Sequence, residues 1–495
     1  MKVKEGMRPT SMALVIGALV ALAIGGCGQK LGELIYNDSL LCGNLNQACA
    51  PDAGKFDLHI VDRTTLEVAN PSIPTFDMVA RPGSTRVGFA YVMKSPRQDS
   101  GVVQMFPDAG IVDYDIMFQE FDVDAGVGFG AERVQTVQRF FGVSVAYQAN
   151  GDPAVAYLGG PPDFTETFWF QNDAAISYRS GATWTEHVAA TGSSPPVANS
   201  GPSDQGKIVG FYPALIFEAN NAVLAYRDGH FGQSAGTGDW NSADLEMAVG
   251  GPTAWTPVAL LQAGNSKRAY GGHSRIIYGA KTLASGPRAA AVVSDRPPSG
   301  PDTFGQDIEF SEQQADGTWK SAGALQPLTN VDTPSILGSN GASLVPNTQA
   351  GPSIDYRDSF GYGIAFTNRS VNGAYFTSCA ANTDCTVPGN WDTPDPVFQS
   401  GSGGWYASVA VSPDGDPSVA YYVCSKQPSR NENNCTADHY LAVSNRGVSQ
   451  VWSDHEVKVD TGAVFQTRMV YLGKRRVIGY RNGVSGVLQL AVEKP

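Results

Sequence analysis

Six cysteines lie in three close pairs, Cys42/Cys49, Cys379/Cys385 and Cys424/Cys435, and a seventh, Cys27, stands apart near the start of the chain. Six thiols allow many pairings, of which three local bridges are the simplest, each clipping a loop. Such bonds persist outside the cytoplasm and are rare within it. The rival chemistry is a zinc site, which needs ligands at close spacing; only His439, after Cys435, approaches one. The six histidines form no spaced pair, and no G-x-S-x-G, H-E-x-x-H or phosphate-binding glycine loop occurs. Two further residue types are distributed with a pattern. Asp115, Asp173, Asp244, Asp307 and Asp438 recur at one kind of position, and aromatic residues crowd a few long loops. Aspartates that regular suit backbone hydrogen bonding better than catalysis. The aromatic rings offer flat apolar faces suited to sugars or peptide side chains.

Recurrent short strands position these residues. The phrase ending GFAY at Tyr91 returns as AVAY at Tyr157, VLAY at Tyr226 and AAVV at Val293, then as GIAF at Phe366, SVAY at Tyr421 and VIGY at Tyr480. The seven copies are 55 to 73 residues apart, a period that marks a repeat architecture. Each follows another short strand across turns such as QANGDP and SPDGDP, in which Asn-Gly and Asp-Gly favour hairpins. A third strand comes next, and in most copies a fourth follows a turn bearing Trp184, Trp255, Trp319 or Trp452. Four antiparallel strands repeated in this way resemble a β-propeller. The expected fold is therefore all-β, a seven-bladed propeller over residues 56–495, because stacking around a ring buries the faces that one blade leaves open. The last copy stops after its third strand, so FDLHIVD from Phe56 is expected to supply the fourth and close the ring.

Two propeller families share fragments of these turns. Ser177-Tyr178-Arg179-Ser180-Gly181-Ala182-Thr183-Trp184 resembles the Asp-box of sialidase-type propellers, with Arg179 where the family has Asp. That box is structural in the family, so the likeness implies fold and not activity. Phe141-Gly142 with Asn150-Gly151-Asp152 resembles the FG-GAP repeat and its calcium loop. Calcium takes six to eight oxygens, and Gln148 and Ala156 stand where acidic ligands belong; Asp414 and Asp416 sit in a similarly incomplete copy. No cofactor is expected, calcium being the weaker alternative to plain hairpin turns.

The first 26 residues read as an address. Lys2, Lys4 and Arg8 precede the apolar run SMALVIGALVALAI, which is short for a membrane span and right for a signal peptide. It ends in Ile24-Gly25-Gly26-Cys27, which resembles a bacterial lipobox and implies lipidation of Cys27. Gly28 rather than Asp after it implies the outer membrane, periplasmic or surface-exposed side. Residues 27–55 then form a tether. The net charge of −13 and the low charged fraction of 16% repel phosphate backbones, which argues against nucleic acid as a partner.

In such a propeller the loops between second and third strands emerge beside those joining the blades, and here they are long. Loops on one rim of a rigid scaffold are where recognition is carried. These loops carry Phe168, Trp169, His230, Phe231, Trp240 and Phe304, and the entries to the innermost strands add Phe141, Phe211, Tyr212, Trp405, Tyr406 and Phe465. The expected function is a lipid-anchored envelope protein that binds a glycan or protein through this rim. The bland alternative for the rings is that they cap the blades beneath. The functional alternatives are a sialidase-like glycosidase or lyase, with unassigned catalytic carboxylates, and an outer-membrane scaffold or assembly lipoprotein.

Overall fold

A computed structural model of the chain describes residues 55–63, 74–95, 114–137, 140–159, 173–191, 208–218, 220–229, 231–234, 237–238, 245–261, 269–280, 288–296, 307–314, 316, 318–324, 352–368, 373–398, 402–424, 439–446, 452, 456–462, 464–483 and 485–495. All lie in the unit formed by residues 51–495. Cys27, Cys42 and Cys49 lie outside the described residues.

Almost every regular element is a strand, and the fold is an all-β propeller. Seven antiparallel sheets of four or five strands are formed in chain order, beside one small two-stranded pairing. Blade 1 runs outward from Phe76–Ala80 through Arg86–Lys94 and Tyr114–Asp122 to Glu132–Val137, with the short strand Val127–Gly128 alongside. Blades 2 to 6 begin at the inner strands Val143–Tyr147, Ile208–Glu218, Ala269–Ala280, Ser353–Arg357 and Ser402–Val411. Blade 7 runs outward from Val464–Leu472 through Arg475–Asn482 to Leu488–Glu493. The inner strands touch one another in sequence around the set, and Val464–Leu472 also touches Phe76–Ala80, so the circle closes. The outermost place in blade 7 is taken by Phe56–Asp62, paired antiparallel with Leu488–Glu493 from Phe56↔Glu493 to Asp62↔Leu488. That strand is the expected N-terminal closure.

The recurring tyrosine explains why the phrase repeats. Tyr91, Tyr157, Tyr226, Tyr421 and Tyr480 are each 0% exposed. Burying a ring of this size is worth about 2 kcal/mol, provided that its hydroxyl keeps a partner. Each has one. Tyr157 donates to Glu186 at 2.6 Å, Tyr480 to Asp460 at 2.6 Å and Tyr226 to Glu246 at 3.3 Å, while Tyr421 bonds Ser444 and Tyr91 reaches Asp62. The Asp62 and Asp460 bonds cross from one blade to the next, so the same residue fills a sheet and ties neighbours together. The residue before this tyrosine is small, Ala90, Ala156, Ala225, Ala420 or Gly479, because the adjacent inner strand lies against it. A Cβ on Gly479 would come within 3.0 Å of Met78 in blade 1.

The Asp-box-like turn connects the third strand of blade 2, Asp173–Ser180, to its fourth, Thr183–Ala190, with Gly181 at φ +61°. Arg179, standing where the box has Asp, reaches 2.5 Å to Glu132 on the outer strand of blade 1. The indole N–H of Trp184 donates to the other oxygen of Glu132 at 3.0 Å. The turn is an inter-blade clasp. Of the recurring aspartates, Asp115 is buried and accepts a 2.6 Å bond from the Thr136 hydroxyl of its own blade.

Candidate functional site

Among the described side chains, the axis of the ring is lined by one position from each of six inner strands, the one opposite a small residue of the second strand. It is Asp77 in blade 1, Ser144 in blade 2, Ala214 in blade 3, Ser353 in blade 5, Ser408 in blade 6 and Arg468 in blade 7. Wherever a short oxygen-bearing side chain stands there, it accepts a backbone N–H from the next blade. Asp77 accepts from Val145 at 3.1 Å, Ser144 from Leu215 at 3.0 Å, Ser353 from Val409 at 3.1 Å and Ser408 from Met469 at 3.0 Å. These N–H groups face the axis and belong to no ladder, so an unmet one would cost about 1–3 kcal/mol. Where the ring closes the chemistry changes, because Arg468 donates from Nε to Asp77 at 2.6 Å. Asp77 is 3% exposed and uses both carboxylate oxygens, the second also accepting from the Ser144 hydroxyl at 3.0 Å. Thr75 reinforces the join by donating its N–H and hydroxyl to Gln466 of blade 7.

One carboxylate departs from this pattern. Asp355, two residues beyond Ser353, accepts the Val411 N–H of blade 6 at 2.6 Å, and Arg357 donates to the Val411 carbonyl at 3.0 Å. Burial pushes the Asp355 carboxyl above the usual range, outweighing its hydrogen bonds and the nearby Arg357 charge.

A cavity of about 310 Å³ opens on the axis between blades 1, 2, 3 and 7. Asp77, Ser144 and Arg468 supply its polar part, and Val145, Leu215, Phe217 and Tyr147 are among its walls. Its walls run to Ala80, Pro82, Tyr147 and Phe217, the inner-strand ends that lead into the first hairpin turns. The long loops between second and third strands leave from the other ends of these blades. Tyr147 donates to Glu120 at 2.9 Å, and burial followed by the Glu120 charge pushes its phenol well above the usual range.

The rings expected around the axial opening are largely core. Trp405 is 0% exposed and Tyr406 5%, packed with Tyr422 and Phe465. Phe211, Tyr212 and Phe465 are buried as well, and Phe141 is partly exposed. Neither Trp405 nor Tyr406 offers a free ring face to a ligand, which corrects their place among the ligand-binding candidates. The cause is a backbone bulge. Tyr212, Tyr406 and Gln466 take φ of +49°, +56° and +55° at equivalent points where the inner strand slips register, and Gly142 takes +103° in blade 2. The bulge turns the rings inward and frees main-chain groups for the neighbouring blade: the Tyr212 N–H donates to the Phe141 carbonyl at 2.7 Å, and Thr467 donates to the Tyr406 carbonyl. Nothing in the side-chain types signals this, since αL conformation favours Gly.

Phe168, Trp169, His230, Trp240 and Phe304 lie outside the described residues; Phe231 begins the short strand Phe231–Ser234, paired with Thr237–Gly238. Cys379 and Cys385 form the expected local bridge, with Cα atoms 5.9 Å apart. Cys424 is disulfide-bonded, and Cys435 lies outside the described residues. In the calcium-like turns, Asn150 donates to Asp152 at 2.8 Å and the backbone closes from Gln148 N–H to the Asp152 carbonyl; Asp414 pairs with Lys474 at 2.9 Å. The contacts of the first turn lie within its own hairpin, and the Asp414 pair joins the turns of blades 6 and 7.

No protein-family model and no curated protein matches the chain. Solved structures similar to it include a Trypanosoma rangeli sialidase in complex with the inhibitor DANA, at 11% identity and a TM-score of 0.40, covering 73% of this chain and 56% of that one. The chain thus spans about half the length of that sialidase. A Dyadobacter fermentans protein of unknown function aligns at 12% identity and a TM-score of 0.42, over 72% of this chain and 94% of that one. A Penicillium chrysogenum alpha-L-arabinanase complexed with arabinobiose aligns at 10% identity and a TM-score of 0.41, over 88% of this chain and 98% of that one.

Proposed function

We propose that the chain is a lipid-anchored envelope protein that binds a glycan or protein through its long-loop rim and does not hydrolyse it. The observation that carries this reading is the state of the axial carboxylate. Glycoside hydrolysis by paired acids needs two carboxyl groups about 5–10 Å apart, one of them free to attack or to accept a proton. Among the described residues lining the axial cavity the one carboxylate is Asp77, and both its oxygens serve the ring closure. Asp77 is committed to holding the blades together and is not free for that role. On this reading Trp169 and Trp240 supply ring faces to the ligand, and a diacylated Cys27 holds the propeller at the outer membrane.

A glycan array combined with a hydrolysis screen, run on the full chain in detergent, tests the proposal. The expected result is binding without product release, weakened about tenfold or more by Trp169→Ala or Trp240→Ala, the loss of one stacked ring. Product release, or binding indifferent to both substitutions, contradicts it. Cys27→Ser tests the anchor: the variant is expected to leave the membrane fraction, and unchanged fractionation defeats the assignment.

A further inference from the structure

The axial cavity opens at the hairpin-turn ends of the blades, away from the rim invoked above, and its polar lining is unevenly satisfied. Asp77 has both oxygens engaged, and the Ser144 hydroxyl both donates, to Asp77, and accepts, from Leu215. Arg468 spends only Nε, and its side chain retains 20% exposure. Its two terminal nitrogens have no hydrogen-bond partner among the described residues. A guanidinium with terminal N–H groups left over, at the base of a cavity with apolar walls, is matched by a planar oxyanion that accepts two parallel bonds.

The walls narrow the choice of oxyanion. Val79, Ile216 and Phe217, all partly exposed, supply the cavity's apolar lining, whereas the side chains of Val145 and Leu215 are buried between the blades. Inorganic phosphate or sulfate would leave those walls in contact with water, whereas a carboxylate on an apolar body satisfies floor and walls together. A volume of about 310 Å³ is at the small end for ligand sites, enough for one ring. We propose that this cavity is a second binding site, taking a compact organic carboxylate whose oxygens bond the terminal nitrogens of Arg468 while its apolar body lies against Val79, Ile216 and Phe217. The Asp77 bond to Nε fixes the guanidinium for the task, so the ion pair that closes the ring also orients the receptor group.

Titration of the full chain with benzoate, with benzamide as the uncharged isostere, tests the assignment by ligand-observed NMR and calorimetry. Benzoate is expected to saturate one site below about 10 mM and to bind about tenfold more tightly than benzamide, the contribution of one charge-assisted pair. Arg468→Gln should abolish that preference. Because this substitution also removes the bond to Asp77, a second variant leaves the pair intact. Ala80→Trp fills the cavity from a partly exposed wall position, and it should lose benzoate binding while keeping the wild-type unfolding midpoint. Failure of benzoate to saturate, equal binding of benzamide, or benzoate binding retained in a folded Ala80→Trp protein overturns the proposal. Rim-ligand binding is measured separately with Trp169→Ala, so failure at one mouth is distinguishable from failure at the other.

Discussion

Asp77 does the work of three residues elsewhere in the ring. It receives the Val145 N–H as a serine would, holds the Ser144 hydroxyl, and answers the charge of Arg468 from the far end of the chain. Asp77→Ala is expected to cost about 3 kcal/mol by urea denaturation, because an arginine and a backbone N–H lose their acceptor at a site 3% exposed. Asp77→Ala with Arg468→Met should cost less than the sum of the two single changes, since the double variant strands no charge; simple additivity would show that the pair is uncoupled. Glu132 is a milder case, with 30% of its side chain exposed. Glu132→Ala should lower stability by about 1 kcal/mol and red-shift Trp184 emission as the indole N–H turns to water. An unshifted spectrum would mean that the clasp with Arg179 and Trp184 is not formed in solution.

At the level of the strand, the last blade makes one contribution to the pH dependence of stability. Burial alone would raise the Glu493 carboxyl, but its hydrogen bonds to Arg476 and the charge of that guanidinium outweigh burial and hold it below its ordinary value of 4.5. A carboxylate depressed in the folded state contributes stability above its unfolded value and loses it as the pH falls through the lower folded value. Blade 7 should therefore loosen below about pH 4.5 in the wild type, and Glu493→Gln should flatten that part of the stability profile; an unchanged acid limb contradicts the assignment. The strand Phe56–Asp62 bears on the same blade. Proline at positions 57 and 59, whose N–H groups face Leu488–Glu493, should expose the amides of that strand to hydrogen exchange.

Strands and their order were legible in the sequence because burial repeats locally: a small residue, a tyrosine and a hairpin turn recur within a few positions in copy after copy. The N-terminal closure was legible too, since a three-stranded last copy beside an unassigned alternating segment leaves one economical pairing. The axial belt was not. Its bonds join residues such as Ser144 and Leu215, 71 positions apart, and a serine in a strand carries no mark of what it will accept. The rings at Trp405 and Tyr406 misled for a related reason: their burial depends on an αL bulge that their side chains disfavour and that only the neighbouring blade stabilises. Arg179 read as a defect in an Asp-box, although its partner Glu132 lay 47 residues upstream.

For the molecule as a whole, the central claim is that one continuous ring is closed by pairing the first strand with the last. Lys494 donates its N–H to the Lys55 carbonyl at 2.8 Å, extending the ladder one residue beyond Phe56↔Glu493. Directly opposed residues in such a ladder have Cα atoms about 5.5 Å apart, within reach of a disulfide. The direct measurement is peptide mapping without reduction of a Lys55→Cys, Lys494→Cys double variant oxidised under native conditions. A bridge joining positions 55 and 494 in high yield, lost when oxidation is carried out in denaturant, is the predicted result. No such bridge in the folded protein, with the native pairs intact, would contradict closure and the axial account that rests on it.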